Sequence, residues 1–102
     1  MPTPASPPAE SAPVRAIWKW VLPSSDHFNL RMPAGAKVLS VQTRYGSPKL
    51  WALVDPTAYS ELRTFLIAGT GHERTDLAGA RFVGTFQLDD GRLVFHVFEA
   101  AR

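Results

Sequence analysis

The sequence predicts an all-β fold: a small antiparallel sandwich or barrel of about seven strands, with a disordered proline-rich tail at the N-terminus. Short apolar runs recur about every 8–12 residues and are separated by residues that favour turns. Helical periodicity never continues beyond about two turns, so the crossover helices that a parallel α/β sheet needs are missing. Both observations favour neighbouring strands joined by short connections.

The composition limits the class of protein further. The chain has 102 residues, of which 45% are hydrophobic, and it contains no cysteine. This length fits one small domain, and the lack of cysteine excludes a disulfide scaffold and a thiolate zinc site. No apolar run is long enough for a membrane helix. The formal net charge of +2 is too close to balance to indicate a polyanionic partner.

Residues 1–13 differ in composition from the rest of the chain. They contain five of the nine prolines and, apart from Met1, no large apolar side chain. Such a segment has little to bury against the entropic cost of ordering it, so we expect a disordered tail. It has neither the basic nor the apolar region of a secretory signal. Residues 14–102 are expected to form the single all-β domain.

The first half of the folded part shows alternating apolar positions. In the first run the alternating residues occupy opposite faces: Trp18, Trp20 and Leu22 on one, and Arg15, Ile17, Lys19 and Val21 on the other. Pro33-Ala34-Gly35 is a turn in which proline sets φ and glycine accepts a left-handed conformation. Leu50–Val54 is almost entirely apolar, as in a strand buried on both faces. The strands predicted in this half span residues 14–22, 27–32, 37–45 and 50–54.

The second half continues the pattern. Residues 57–62 are the one place where a helical turn is expected, and residues 69–80 form a polar loop. Asp89-Asp90-Gly91 is a strong hairpin signal. The strands predicted here span residues 63–68, 81–88 and 92–99.

Five sequence blocks carry a family resemblance: MPAGAKVLSVQ (32–42), LWALVDP (50–56), RTFLIAGTGH (63–72), FVGTFQL (82–88) and LVFHVFE (93–99). In this order and spacing they resemble a family of small uncharacterised proteins of bacteriophages, prophages and bacterial genomes. The resemblance covers about residues 17–99. It implies an all-β domain of phage or prophage type, acting in the cytoplasm of a bacterial host, and it implies no activity.

The loop Gly69-Thr70-Gly71-His72 is the best local candidate for a ligand site. Two glycines beside a hydroxyl residue free the backbone to direct successive N–H groups at one anion, and His72 adds a proton donor. A small-ligand or phosphate-binding domain using this loop is therefore one functional hypothesis. The alternative is a turn that ends a strand, because this glycine pattern is weak by itself.

Catalytic and metal-binding signals are weak. There is no thiol nucleophile and no G-x-S-x-G motif, so a non-enzymatic protein is favoured, and no cofactor is expected. Asp89-Asp90 fits a hairpin turn better than a pair of catalytic acids. His27, His72 and His96 lie on separate segments, so no metal site is predicted.

A second hypothesis is a single-stranded nucleic-acid platform. Trp18, Trp20 and Trp51 lie on predicted strands, and Arg31, Lys37, Arg44 and Lys49 flank them in the sequence. The alternative places the tryptophans in the core. Nucleic acid is the less favoured partner, because the basic residues are scattered along a nearly balanced chain.

A third hypothesis is protein–protein interaction. The first strand is a candidate sheet edge, and its half-apolar face suits pairing with a second copy or docking on a host or phage protein. The alternative is a strand that is simply paired inside the fold, because the sequence does not identify edge strands. The residues assigned to this surface are Arg15, Ile17, Lys19, Val21 and Trp51. We therefore expect a small phage-type accessory protein that binds a macromolecular partner, for instance to inhibit a host defence or enzyme.

Overall fold

The computed structural model describes residues 12–101 and contains seven β-strands and no helix in that range. The predicted tail, residues 1–13, lies outside the described residues except for Ala12 and Pro13. The strands are β1 Ala16–Val21, β2 His27–Pro33, β3 Lys37–Arg44, β4 Ser47–Val54, β5 Ser60–Gly69, β6 Arg81–Leu88 and β7 Leu93–Glu99.

The strands form two antiparallel sheets. The three-stranded sheet has the order β1-β4-β3, and the four-stranded sheet has the order β2-β5-β7-β6. Every described pairing is antiparallel, so the connections can be short. The all-β prediction is confirmed in its sandwich form. The barrel alternative is wrong, because the two sheets do not pair into one closed sheet.

The core lies between the two sheets. Met32, Leu50, Val54, Phe65 and Val97 are its largest fully buried side chains, and they come from both sheets. Alternation explains this arrangement, because every second residue of an antiparallel strand faces the same side. β5 departs from strict alternation, since Leu66 and Ala68 are buried too.

Two local predictions are wrong. Residues 57–62 form no helical turn. The Asp55 carboxylate accepts hydrogen bonds from the backbone N–H and the hydroxyl of Thr57 in a tight turn, and β5 already begins at Ser60. β4 begins at Ser47, before the expected Leu50. Proline has no N–H to donate to a neighbouring strand. Pro48 is tolerated in this central strand because the residue opposite it, Leu22, lies beyond the end of β1.

Beyond the apolar core, the interior of the four-stranded sheet holds one ion pair. Arg63 on β5 and Glu99 on β7 are 3% and 4% exposed. The Arg63 guanidinium also donates to the backbone oxygen of Ala36, in the connection between β2 and β3. Arg81 on β6 adds a hydrogen bond of 2.8 Å to Glu99. The pair therefore links three strands of one sheet to the connection that leads to the other.

Candidate functional site

The solvent-facing side of the three-stranded sheet collects most of the residues that the sequence assigned to an interaction surface. Side chains of directly opposed residues lie on the same face of a sheet. The strand register therefore places three rows of side chains across β1, β4 and β3. We call this side of the sheet the basic face, and its rows are Ile17–Leu53–Lys37, Lys19–Trp51–Ser40 and Val21–Lys49–Gln42.

Several apolar side chains are accessible to solvent on the basic face. Ile17 and Val21 are 61% and 60% exposed, and Leu39 is 48% exposed. Leu39 is the residue at which the pairing of β3 with β4 shifts register, in a β-bulge. Together with Trp51 it lines a shallow depression of about 370 Å³. Exposed apolar residues grouped in this way, among polar ones, are typical of interaction surfaces.

The charge on the basic face has one sign. Lys19, Lys37 and Lys49 lie in the three rows, and Arg44 follows at the end of β3. Within the strands that the structure describes, this sheet contains neither Asp nor Glu. The nearly balanced charge of the whole chain therefore hides a local excess of positive charge, which favours an acidic partner.

The tip of the β3–β4 hairpin adds an aromatic ring beside this charge. Tyr45 is 95% exposed, and the Arg44 guanidinium lies 5.7 Å from the centre of its ring. Tyr45 has a φ of 53° and Gly46 a φ of 76°, as in the two-residue turns that match strand twist. Bulky residues rarely adopt positive φ. The turn therefore holds a bulky and almost fully exposed side chain in a conformation that costs stability.

Arg15, the remaining member of the predicted surface, precedes β1. Its Nη1 lies 3.9 Å from Oδ2 of Asp55, so its charge is partly balanced. The pKa of Asp55 lies below its ordinary value, chiefly because the hydroxyl and the N–H of Thr57 donate to its carboxylate. Arg15 thus marks the end of the basic face rather than its centre.

The loop Gly69-Thr70-Gly71-His72 is a tight turn that follows β5. The Thr70 N–H donates to Val94 O at 3.1 Å, and the His72 N–H donates to Gly69 O at 3.1 Å. The His72 ring lies over Gly69, where an added Cβ would come within 2.9 Å of it. An anion at this loop would have to compete with these internal bonds, so the ligand-site hypothesis stays a prediction that the geometry does not favour.

Thr70 also takes part in a polar chain on the outer side of the four-stranded sheet. Its hydroxyl lies 2.8 Å from Nε2 of His96, whose Nδ1 lies 3.0 Å from the hydroxyl of Thr85. The Thr70 hydroxyl donates to Val94 O at 3.2 Å. Each ring nitrogen of His96 therefore has a threonine hydroxyl as its hydrogen-bond partner, which fixes the orientation of the ring.

The three tryptophans do not share one surface. Trp18 and Trp20 lie on the inner side of β1, opposite Ala52 and Leu50, with ring centres 6.3 Å apart. Trp20 packs against the core, whereas Trp18 is 42% exposed. Trp51 is alone among them on the basic face. Arg31 lies on β2 of the other sheet. Of the residues predicted for a nucleic-acid platform, only Trp51 and the cations of the basic face therefore share one surface.

Two further observations concern function classes. Among residues 12–101, no three His, Asp or Glu side chains converge in a geometry that would hold a metal ion. In the same range, the structure contains no helix with the length and apolar character needed to cross a membrane.

A comparison with protein-family models matches residues 13–102 to a domain of unknown function, DUF7352. The chain belongs to the DUF7352 family. The match covers all seven strands, so the basic face lies within this DUF7352 domain. No curated protein and no solved structure matches the chain in the corresponding searches.

Sequence reasoning found part of the basic face of this DUF7352 domain. Alternation identified Ile17, Lys19 and Val21 as one side of a strand, and that side is the exposed one. Leu39 and Tyr45 were missed as members of the surface. For Tyr45 the signal was present, since an aromatic residue before Gly46 in a two-residue turn has to adopt positive φ. For Leu39 there was no signal, because the register shift depends on how β3 pairs with β4.

Proposed function

We propose that this DUF7352 protein is a non-enzymatic accessory protein that binds an acidic surface of a partner protein through its basic face. The observation that carries the proposal is the composition of this face: exposed Ile17 and Val21, and cations from all three strands with no carboxylate among them. Apolar contacts supply affinity, and the charge selects acidic partners and repels basic ones.

A second copy of the chain fits the basic face poorly. Packing two such faces together would bring Lys19, Lys37 and Lys49 against their counterparts with no carboxylate of the sheet to pair them. Like charges opposed in this way are destabilising. The proposal therefore places a different protein, and not a homodimer contact, on this face.

The resemblance of the sequence blocks supports a phage or prophage setting. In that setting the partner is a host or phage protein in the bacterial cytoplasm, and binding serves to inhibit a host defence or enzyme. A small domain that offers one exposed basic and apolar face is suited to blocking an acidic surface.

The test compares capture of proteins from a bacterial lysate by three immobilised variants: the wild type, Lys19→Glu/Lys49→Glu and Arg31→Glu. Arg31 is exposed on the four-stranded sheet, so Arg31→Glu makes the same kind of charge change away from the basic face. The proposal expects a stoichiometric acidic protein on the wild type and on Arg31→Glu, and its loss from the double variant. Equal capture by all three variants would contradict it.

Single-stranded nucleic acid is the competing outcome, because Trp51 and the same cations could stack and neutralise it. Treating the lysate with nuclease separates the two. If the material bound to the basic face disappears after nuclease treatment, and binding of oligodeoxythymidylate falls steeply with added salt, the partner is nucleic acid and the protein-binding proposal is wrong.

A further inference from the structure

Within residues 12–101 the two sheets leave four edge strands, and three of them are protected. β3 and β6 lie against each other, with the Thr43 hydroxyl donating to Gln87 O at 2.5 Å. β2 is protected by local contacts, and β1 is the exception. An edge strand with free N–H and C=O groups can pair with another chain, and proteins usually block it.

The outward backbone groups of β2 can be identified from its pairing. The Ile67 N–H donates to Asp26 O, and the Ala34 N–H donates to Tyr59 O. Hydrogen-bonded and non-hydrogen-bonded pairs alternate along an antiparallel ladder. The odd-numbered residues of β2 therefore direct their N–H and C=O groups away from β5.

Most of these outward residues of β2 either have a backbone group that is already hydrogen-bonded or have no N–H to donate. The Ser25 hydroxyl accepts from the His27 N–H at 3.4 Å and donates to His27 O at 2.8 Å. Trp20 Nε1 donates to Arg31 O at 3.3 Å, and Pro33 has no N–H. No continuous ladder can form along this edge.

The same reasoning applied to β1 gives the opposite result. The Leu22 N–H donates to Pro48 O at 2.9 Å, so the hydrogen-bonded pairs with β4 fall on Leu22, Trp20, Trp18 and Ala16. The N–H and C=O groups of Ile17, Lys19 and Val21 therefore point away from β4. Among the hydrogen bonds described for residues 12–101, none occupies them on that side.

Resting on the proposed function, we infer that the β1 edge accepts an extended acidic segment of the partner protein as an additional antiparallel or parallel strand. The segment takes its main-chain bonds from Ile17, Lys19 and Val21. Its acidic side chains continue the rows of the basic face next to Lys19, and its apolar side chains lie beside Trp18 on the inner side. Such strand addition combines backbone affinity with side-chain selectivity.

The central position of Lys19 selects against the simplest alternative, a second copy. In a symmetric antiparallel β1–β1 pairing centred on this residue, Lys19 would face the Lys19 of the other copy, and directly opposed like charges destabilise a strand pair. A glutamate at the same place removes this cost and adds attraction. The chemistry of the edge thus favours an acidic strand.

The probe is a short, blocked peptide of alternating glutamate and valine, followed by amide hydrogen exchange in the wild-type protein. In the free protein the amides of Trp18 and Trp20 are expected to be protected by β4, and those of Ile17, Lys19 and Val21 to exchange quickly. Saturation with the peptide should slow exchange at Ile17, Lys19 and Val21 at least about tenfold. Binding without this protection would overturn the inference, as would a complete lack of binding at millimolar peptide.

A variant pair tests the same ladder. Val21→Pro removes an N–H that faces solvent, so it leaves the pairing with β4 intact, whereas Val21→Thr keeps the N–H. The proline variant should bind the peptide at least about tenfold more weakly than the threonine variant. Protection of the Trp18 and Trp20 amides in the free proline variant checks that β1 is still paired. Equal affinities of the two variants would overturn strand addition.

Further outcomes separate this inference from the proposed function. If Lys19→Glu weakens peptide binding but the three outward amides stay unprotected, the basic face binds acidic partners and only strand addition is wrong. If Lys19→Glu has no effect on peptide binding, the proposed function fails as well. Protection of the three amides that rises with protein concentration and without peptide would assign the edge to a second copy and overturn the inference.

Discussion

Arg63 and Glu99 form a two-point ion pair on the inner side of the four-stranded sheet, with Nε–Oε2 and Nη2–Oε1 distances of 2.6 and 2.8 Å. Their side chains are only 3% and 5% exposed. Water cannot replace either partner at this depth, so each charge depends on the other. Because Arg63 also holds the backbone of Ala36, the pair fixes the connection that delivers β3 to the other sheet.

Replacing Glu99 by glutamine should be strongly destabilising. Glu99→Gln keeps the size of the side chain but leaves the Arg63 guanidinium buried without a countercharge, which costs about 3–5 kcal/mol of unfolding free energy. Arg81 also bonds Glu99, but its side chain is 71% exposed. Arg81→Gln should therefore cost at most about 1 kcal/mol. Urea unfolding of both variants measures the difference, and equal losses would mean that the buried pair has no special role.

Glu99 should also make the stability depend on pH. Burial alone would raise its pKa, but the hydrogen bonds from Arg63 and Arg81 outweigh burial and hold the pKa below the ordinary value of 4.5. A carboxyl with a lowered folded-state pKa contributes stability above its unfolded pKa and loses it as the pH falls through the folded one. The wild type should thus lose unfolding free energy more steeply below about pH 4.5 than Glu99→Gln. Urea unfolding at a series of pH values tests this, and parallel profiles would count against it.

The backbone conformation of Tyr45 should lower the unfolding free energy of the protein. Its φ of 53° lies in the left-handed region, which costs ordinary L-residues about 1–2 kcal/mol. Asparagine before glycine suits this turn, so Tyr45→Asn should raise the unfolding free energy by about 1 kcal/mol. Tyr45→Phe keeps the strain and should leave stability unchanged. If Tyr45 contacts the partner, the stabilised Asn variant will capture less of it than the wild type does.

The sequence predicted those features that depend on residues close together in the chain. Alternation in β1 separated Trp18 and Trp20 from Ile17, Lys19 and Val21, and this division is the one observed. Pro48 misled the prediction of β4, because its cost depends on where β1 ends. The sequence indicated β1 as a candidate edge, but it could not show which backbone groups of this edge stay open. Their directions follow from the pairing of Leu22 with Pro48, and the contrast with β2 depends on the hydrogen bond from Trp20 to Arg31 across the sandwich.

Gly84 should be required for the contact between β6 and β3. A Cβ at this position would lie 3.1 Å from Cβ of Val41, and Val41 is 7% exposed, so it has little room to move. Gly84→Ala should therefore lower the unfolding free energy by about 1–3 kcal/mol. Val41→Gly is destabilising by itself because it leaves a cavity, but in the Gly84→Ala background it removes both atoms that the new Cβ would meet, Cβ at 3.1 Å and Cγ2 at 3.2 Å. A double-mutant cycle by urea unfolding should thus show a double variant more stable than the sum of the single losses predicts, and additive losses would show that β6 and β3 are not in close contact at Gly84.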